Sequence, residues 1–250
     1  MSQERLAHEA EISTRHLSCL ETGRAAPSRT MVLLLGSALD LPLRDRNALL
    51  EASGFVAAYR DEPLDAPQSE SLRRAVDFVL EAVSPNGAVV VDHAWNLLRM
   101  NRTATRLFGL FVDMNAASPD VLRNVVVATL HPLGLRPSIV NFDEVAALTL
   151  ERGRRELARA PDDPMLRALA EELAKMPGLP AARSVDFLRS PGPFLTLHLK
   201  RGEVEARIFT TIATIGTPID ATAEELRIET FFPVDAMTGA LFRRLSVDPE

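Results

Sequence analysis

The chain has 250 residues, 46% hydrophobic and 25% charged, with a formal net charge of −6. That length and balance suffice for one large or two modest domains with a real core, and they exclude wholesale disorder. The acidic balance argues against a chain coated in basic surface for nucleic acid, although residues 1–60 alone carry seven arginines against seven acids.

In chain order, the first sixty residues read as short helices with sharp stops. Ser2 caps a helix to about Glu9, with Leu6, Ala7 and Ala10 as its apolar stripe. Ser13 caps a second over Thr14–Glu21, in which Leu17 and Leu20 join Ile12 on one face, and Gly23 is its stop. Ser28 caps a third with Leu34, Leu35, Ala38 and Leu39 inward, and a fourth runs from about Leu43 to Ala52 before Gly54. From Phe55 to Ser69 the periodicity lapses and Pro63 and Pro67 appear, as in a linker. A helix over Ser71–Val83 follows, with Leu72, Val76, Val79, Leu80 and Val83 on its inner side. Pro85-Asn86-Gly87 is a turn, Ala88–Val91 a buried strand, Asp92-His93 a turn and Trp95–Arg99 a second strand. Asn101 then caps a helix to Phe108, which Gly109 stops. The middle, roughly 118–189, is helical; its longest element runs from Pro137 or Asn141 to Arg159, and Pro164 sits in the first turn of another. The period then changes to two: Phe194–Lys200, Val204–Ile215 and Leu226–Phe232 read as strands, and Asp235–Leu245 as a closing helix.

The first two helices and the short connection between them fit helix-turn-helix geometry. The second presents Thr14, Arg15, His16 and Ser18 away from its apolar side, and its N-terminus offers free amides and a positive dipole to phosphate. Side chains of these types reach base edges in the major groove, and Arg24 just beyond can grip the backbone. By spacing alone, an ordinary helical hairpin with a solvated polar face fits equally well.

The residues themselves extend the pattern. Ser2-Gln3-Glu4-x-Leu6-Ala7, Ile12-Ser13, Leu17-Ser18-x-x-Glu21-x-Gly23-Arg24 and Pro27-Ser28, continuing to Ala52-Ser53-Gly54-Phe55, closely resemble the Xre/phage-repressor family of DNA-binding domains. The resemblance implies that Gln3 opens the first motif helix and touches DNA. It also puts Ser13, Thr14, Arg15, His16 and Ser18 at the recognition helix and Arg24 in the loop after it, on a double-stranded operator bound by a homodimer. Family members begin with a further helix before the Ser-Gln pair, so the expected fold is a lambda-repressor-like helix-turn-helix with its first helix missing. The alternative is a sensor or partner-binding protein whose truncated head no longer binds DNA.

A strand ending in Asp92, a second holding Trp95 and Leu97-Leu98, and an Asn101-capped helix ending Leu107-Phe108-Gly109 look like the opening of a PAS domain. With His131-Pro132-x-Gly134-Leu135-Arg136-Pro137, Asn141-Phe142-x-Glu144-Val145-Ala146 and the C-terminal strands, the pattern resembles the ligand-binding domain of MmyB-like transcription regulators. Phe142 stands where that family usually has Trp. The resemblance implies an α+β PAS-like sensor domain with an apolar cavity and a fatty-acid-like ligand. Apolar lining is expected from Phe78, Val91, Trp95, Phe108, Phe111, Leu130, Phe187, Phe194, Leu197, Ile208 and Phe232, with Arg136 or Asn141 as the anchor for a carboxylate. Any one of these aromatics can equally be plain core.

The expected organisation is therefore a DNA-binding domain at 1–58, a linker at 59–69 and a ligand-binding domain at 70–250. Catalysis finds no support. His8, His16, His93, His131 and His198 form no metal-ligating pair, the single Cys19 excludes an internal disulfide and a cysteine-based zinc site, and neither a Gly-x-Ser-x-Gly elbow nor a phosphate-cradling loop occurs. No cofactor is expected beyond a bound fatty acid or similar apolar ligand. The longest apolar runs, Met31–Leu35 and Gly87–Val91, fall far short of the ~20 residues of a membrane span. No charged-then-apolar leader opens the sequence, so a cytoplasmic protein is expected.

Overall fold

The computed structural model describes residues 1–180 and 193–247. The chain divides into two compact units, residues 1–72 with 215–225, and residues 73–214 with 226–250.

The first unit opens with four short helices, α1 (Gln3–Glu9), α2 (Thr14–Glu21), α3 (Arg29–Ala38) and α4 (Leu43–Ala52). Ser2, Ser13 and Ser28 cap the first three, each accepting a hydrogen bond from the amide three residues on, at Arg5, His16 and Met31. Gly23 and Gly54 follow α2 and α4 at φ 70° and 82°, the left-handed conformation that ends a helix and suits a residue without Cβ. Ala7, Ala10, Leu17, Val32, Leu43 and Leu50 form the small core. Two expectations fail here. On α3 the inward residues are Val32 and Gly36, while Leu34 and Leu39 are exposed, because Gly36 is the residue that lets the Arg46 stem of α4 approach. The segment after Gly54 is not a free tether: the buried Asn47 side chain accepts from the Ala58 and Tyr59 amides and donates to Tyr59 O, and Leu64 and Ser69 are buried.

The second unit is a curled antiparallel sheet with helices. Helix α5 (Glu70–Ala82) leads into β1 (Gly87–Val91) and β2 (Leu97–Met100). Next come α6 (Arg102–Phe111), α7 (Pro119–Leu122), α8 (Val125–Leu130), α9 (Phe142–Arg159) and α10 (Pro164–Lys175). Strands β3 (Leu197–Arg201), β4 (Val204–Thr214) and β5 (Arg227–Pro233) complete the sheet, and α12 (Ala236–Ser246) closes the fold; the short helix α11 (Ala221–Glu225), between β4 and β5 in the chain, belongs to the first unit. Strand order is β2-β1-β5-β4-β3, every pairing antiparallel. This curled half-barrel with helices is compatible with a PAS-like sensor. Period two sends Val89 and Val91 of β1, Leu199 of β3, Ala206 and Ile208 of β4 and Phe231 of β5 into one core with Leu107 and Phe111 of α6, Leu130 of α8 and Phe242 of α12. Gly134 is held to glycine by contact: a Cβ there would stand 2.0 Å from Ala128 O.

Trp95 departs from the expected strand. It lies in the β1–β2 turn at φ 68°, a conformation costly for a bulky residue unless its surroundings over-determine it. They do so here. Asp92 Oδ1 accepts from the Ala94 and Asn96 amides, Trp95 N donates to Asp92 O, and the Val125 amide donates to Trp95 O at 2.9 Å.

Candidate ligand-binding site

A cavity of about 550 Å³ lies between α9, α10 and the Trp95 turn. Its apolar wall comes from Leu150 and Leu157 of α9, Leu166, Leu169 and Leu173 of α10, Val126 of α8, and Met176 and Leu179 beyond α10. Helix α10 is set in place from its N-terminus: Asp163 Oδ1 accepts from the Met165 and Leu166 amides, and Asp163 Oδ2 lies 3.0 Å from His93 Nε2 in the β1–β2 turn.

The polar floor is built on Trp95. Its Nε1 donates to Glu156 Oε2 at 2.7 Å, and Glu156 Oε1 accepts from Arg227 Nη1 at 2.7 Å. The Arg152 guanidinium stacks 3.8 Å from the Trp95 ring centroid and that of Arg227 lies 4.9 Å from it, so one indole takes two cations. Arg152 is largely withdrawn from water, and burial holds its pKa below the usual arginine value, against the pull of Glu229 and Glu156 and with the push of Arg227. Among the described residues it makes no hydrogen bond, and Glu229 and Glu156 are the carboxylates that act on it. Glu229, on the inner face of β5, is 8% exposed. Burial holds its carboxyl above the usual range; Arg152 and the Thr210 hydroxyl oppose that. Glu229 and Thr210 line a second, small cavity of about 60 Å³ with Phe108, Leu197, Ile208 and Phe231.

The structure brings together only some of the expected lining. Trp95 lines the large cavity, and Phe108, Leu197 and Ile208 the small one. Val91, Phe111 and Leu130 are core. Phe78 is 71% exposed, because α5 turns Val76 and Leu80 inward and Phe78 lies on the opposite face. Phe194 stands at the surface and packs, tilted, on Phe209, which stacks on Phe232. Phe187 lies outside the described residues.

Neither expected anchor reaches the cavity. Arg136 donates to Pro177 O and Gly178 O and stacks on Phe142, tying the end of α10 to the start of α9 on a separate groove. Asn141 donates to Thr196 O and to Glu144, and accepts from the His198 amide, which fixes the entry to β3.

Arg152, Glu156, Arg227 and Glu229 were missed for a physical reason. Glu151–Glu156 reads as a solvated charge run, and Arg227 and Glu229 alternate with Ile228, Thr230 and Phe232 as a polar outer face would. One signal was present: Val145, Thr149, Arg152 and Glu156 follow one another at helical spacing, so the two charges continue the buried face of α9.

In the first unit, Gln3, Ser13, Thr14, Arg15, His16 and Arg24 are exposed and Ser18 half-buried, on and beside α1 and α2. Gln3 Nε2 donates to Glu21 Oε2 at 2.6 Å, linking the two helices, and the Ser13 hydroxyl accepts from the His16 amide as a cap.

A family profile described as the MmyB-like transcription regulator ligand binding domain matches residues 72–245, which hold both cavities and the whole sheet. The chain belongs to that family. The MmyB-like domain marks the chain as a ligand-sensing transcription regulator. A comparison with curated proteins gave no match. Among solved structures, an RNA-binding light-oxygen-voltage receptor is similar at 15% identity and a TM-score of 0.28, over 98% of this chain and 56% of that one. This chain thus spans little more than half that receptor's length. Among the described residues no helix is long and apolar enough to cross a membrane.

Proposed function

We propose that the chain is a transcription regulator whose MmyB-like domain takes an amphiphilic anion, of which a fatty acid is the simplest example, and whose residues 1–58 bind a DNA operator as an Xre-type helix-turn-helix. The observation that carries the ligand half is Arg152: a cation without a hydrogen-bond partner among the described residues, stacked on Trp95 at the floor of an apolar cavity of about 550 Å³. A guanidinium beside the cavity can donate to an anionic head group while Glu156 and Glu229 act on it from the protein side, and an acyl chain matches the leucine wall. Each further methylene buried contributes about 0.8 kcal/mol, so affinity rises with chain length until the cavity is full.

Trp95 is the single tryptophan of the chain and so reports directly on the site. Titrating the full chain with dodecanoate should change its emission, and Arg152→Leu should weaken binding of dodecanoate at least tenfold while leaving binding of 1-dodecanol within about twofold. Equal loss for both ligands would show that Arg152 shapes the cavity and does not anchor a charge.

The DNA half rests on the exposed Thr14, Arg15 and His16 of the Ser13-capped α2 and on the resemblance of residues 1–58 to repressor heads. A homodimer on a two-fold symmetric site, half-sites about one helical turn apart, is the corresponding assembly. Arg15→Ala should cost about 1–3 kcal/mol on the specific site if Arg15 reads a base. An equal loss on random DNA would reduce Arg15 to a phosphate contact.

A further inference from the structure

We propose that the connection from β4 to β5 carries the state of the Trp95 cavity to helix α4 of the first unit, so that a bound anionic amphiphile firms α4. This coupling rests on the reading of that cavity as an anion site.

The route is the chain itself. Strand β4 ends at Thr214 and β5 starts at Arg227, and these two residues are cross-strand partners. The chain leaves the sheet after Thr214, contributes residues 215–225 to the first unit, and rejoins the sheet at Arg227. On the return, four consecutive residues are all committed. Glu224 Oε2 accepts from the Leu43 amide at 2.6 Å, and Glu225 takes a fork from Arg44 at 2.8 and 3.0 Å. Leu226 is buried. Arg227 donates to Glu156 at 2.7 Å and lies 4.9 Å from the Trp95 ring centroid. Only Leu226 stands between the residue that grips α4 and the residue that grips the cavity floor. One residue spans at most ~3.6 Å, so a shift of Arg227 meets little slack before Glu225. Nor does α11 behave as a free loop: the Ala221 amide donates to Arg60 O at 2.8 Å and the Thr222 hydroxyl to Glu62 O at 2.7 Å.

The direction follows from the charges on the floor. Two guanidinium groups, of Arg152 and Arg227, sit by one indole, and like charges so placed repel. Glu156 bonds both Arg227 and Trp95 Nε1. An anionic head group adds countercharge there and relieves the repulsion, so Glu156 and Trp95 hold Arg227 more firmly. The start of β5 is then fixed more tightly, and with it the grip of Glu224 and Glu225 on α4. A neutral ligand fills the cavity without supplying that charge. The effect is reciprocal: the factor by which the ligand strengthens the hold on α4 is the factor by which that hold strengthens ligand binding.

The test is hydrogen exchange of the full chain with and without saturating dodecanoate, occupancy being read from Trp95 emission and from protection of α9 and α10. Exchange of the α4 amides should slow about fivefold or more, the lower end of ordinary coupling between sites, while α1 and α2 of the same unit stay within about twofold. 1-Dodecanol should occupy the cavity and slow α4 by less than about twofold. The double variant Glu224→Ala, Glu225→Ala releases α11 from α4 and leaves every cavity residue in place. Its α4 should ignore dodecanoate, and its affinity for dodecanoate should fall by the factor seen in the parent's exchange. Occupancy with α4 unaffected, α1 and α2 slowed as much as α4, an equal response to 1-dodecanol, or a response that survives in the double variant overturns the coupling and leaves the anion site standing. No emission change together with no protection of α9 and α10 overturns both. Should the double variant not fold, Arg44→Gln, which removes the fork and keeps the Leu43 cap, takes its place; an undiminished α4 response there overturns the coupling equally.

Discussion

Asn101 joins four backbone groups in the sheet unit. Its Oδ1 accepts from the Ala88 and Ala104 amides, capping α6 and holding β1, while its Nδ2 donates to Leu80 O and Asn86 O. Its capping role was readable from sequence, since Asn before an apolar helix is a standard start; the other three bonds join positions that only the fold brings together. Asn101→Ala should therefore cost more than an ordinary cap, about 2–3 kcal/mol, because partly buried donors and acceptors lose their partners as well. A denaturant titration with unchanged slope would measure it, and a loss below about 1 kcal/mol would mean that water replaces the side chain. Gly153 offers the opposite experiment. It sits inside α9 on the cavity wall, and a Cβ built there meets nothing within 4 Å. Gly153→Ala should stabilise the free protein by about 0.5–1 kcal/mol through helix propensity alone.

At the scale of elements, helix ends govern how firmly the cavity wall and the closing helix are held. Asp163 caps α10 and also meets His93, so Asp163→Ala removes two contacts from the wall formed by Leu166, Leu169 and Leu173. The expected loss is about 1–2 kcal/mol, with faster amide exchange confined to α10; exchange unchanged there would show that the leucine face alone holds the helix. Asp235 caps α12, and the bond from the Thr238 amide holds its carboxyl below the usual range, with the Thr238 hydroxyl and Arg207 adding to it. Because the folded value is depressed, this stabilisation is present above the unfolded aspartate pKa and is lost as pH falls through the folded one. Acidification should fray the start of α12 in the parent and leave Asp235→Asn indifferent over the same range. The helix beginning at Pro164, the closing helix from Asp235 and the strands β3 to β5 were legible because they depend on local chemistry and period; the two aspartate caps were not read. The polar floor was not legible either. On β5 the alternation is genuine but its charged face turns inward, since Arg227 and Glu229 find Glu156 and Arg152 on α9. Period tells which residues share a face, whereas the partner that makes a charged face buriable lies some seventy residues away on another helix.

For the molecule as a whole, one compact unit is made from two distant pieces of chain. The stretch 215–225, which sequence reading assigns to the sheet domain as the connection between two strands, belongs with residues 1–72. Nothing local announces this, because the decisive contacts span 181 positions. The physical reason lies at the start of α4. Its cap position is Pro42, which has no side chain able to accept a hydrogen bond, and the first amides of a helix need an acceptor from elsewhere. Glu224 of α11 supplies it: its Oε2 accepts from the Leu43 amide at 2.6 Å, and the carboxylate also suits the positive end of the helix dipole. Beside it, Arg44 forms a fork on Glu225 and reaches Asp61, while Thr222 donates to Glu62 O, so the α11 segment and residues 60–62 close on the same end of α4. Ala221 and Ala223 are buried by the same packing. Glu224→Ala in the full chain should leave the Leu43 amide without its acceptor and lower the local stability of α4 by about 1 kcal/mol. That corresponds to about fivefold faster exchange of the α4 amides, with β1 and β5 unaffected as internal controls. Glu224→Gln, which keeps an acceptor oxygen and loses the charge, should fall between the two. If α4 exchanges equally in parent and Glu224→Ala, water serves Leu43 as well as the carboxylate does, and α11 is held to the first unit by Arg44, by the bonds from Ala221 and Thr222 to Arg60 O and Glu62 O, and by the buried alanines.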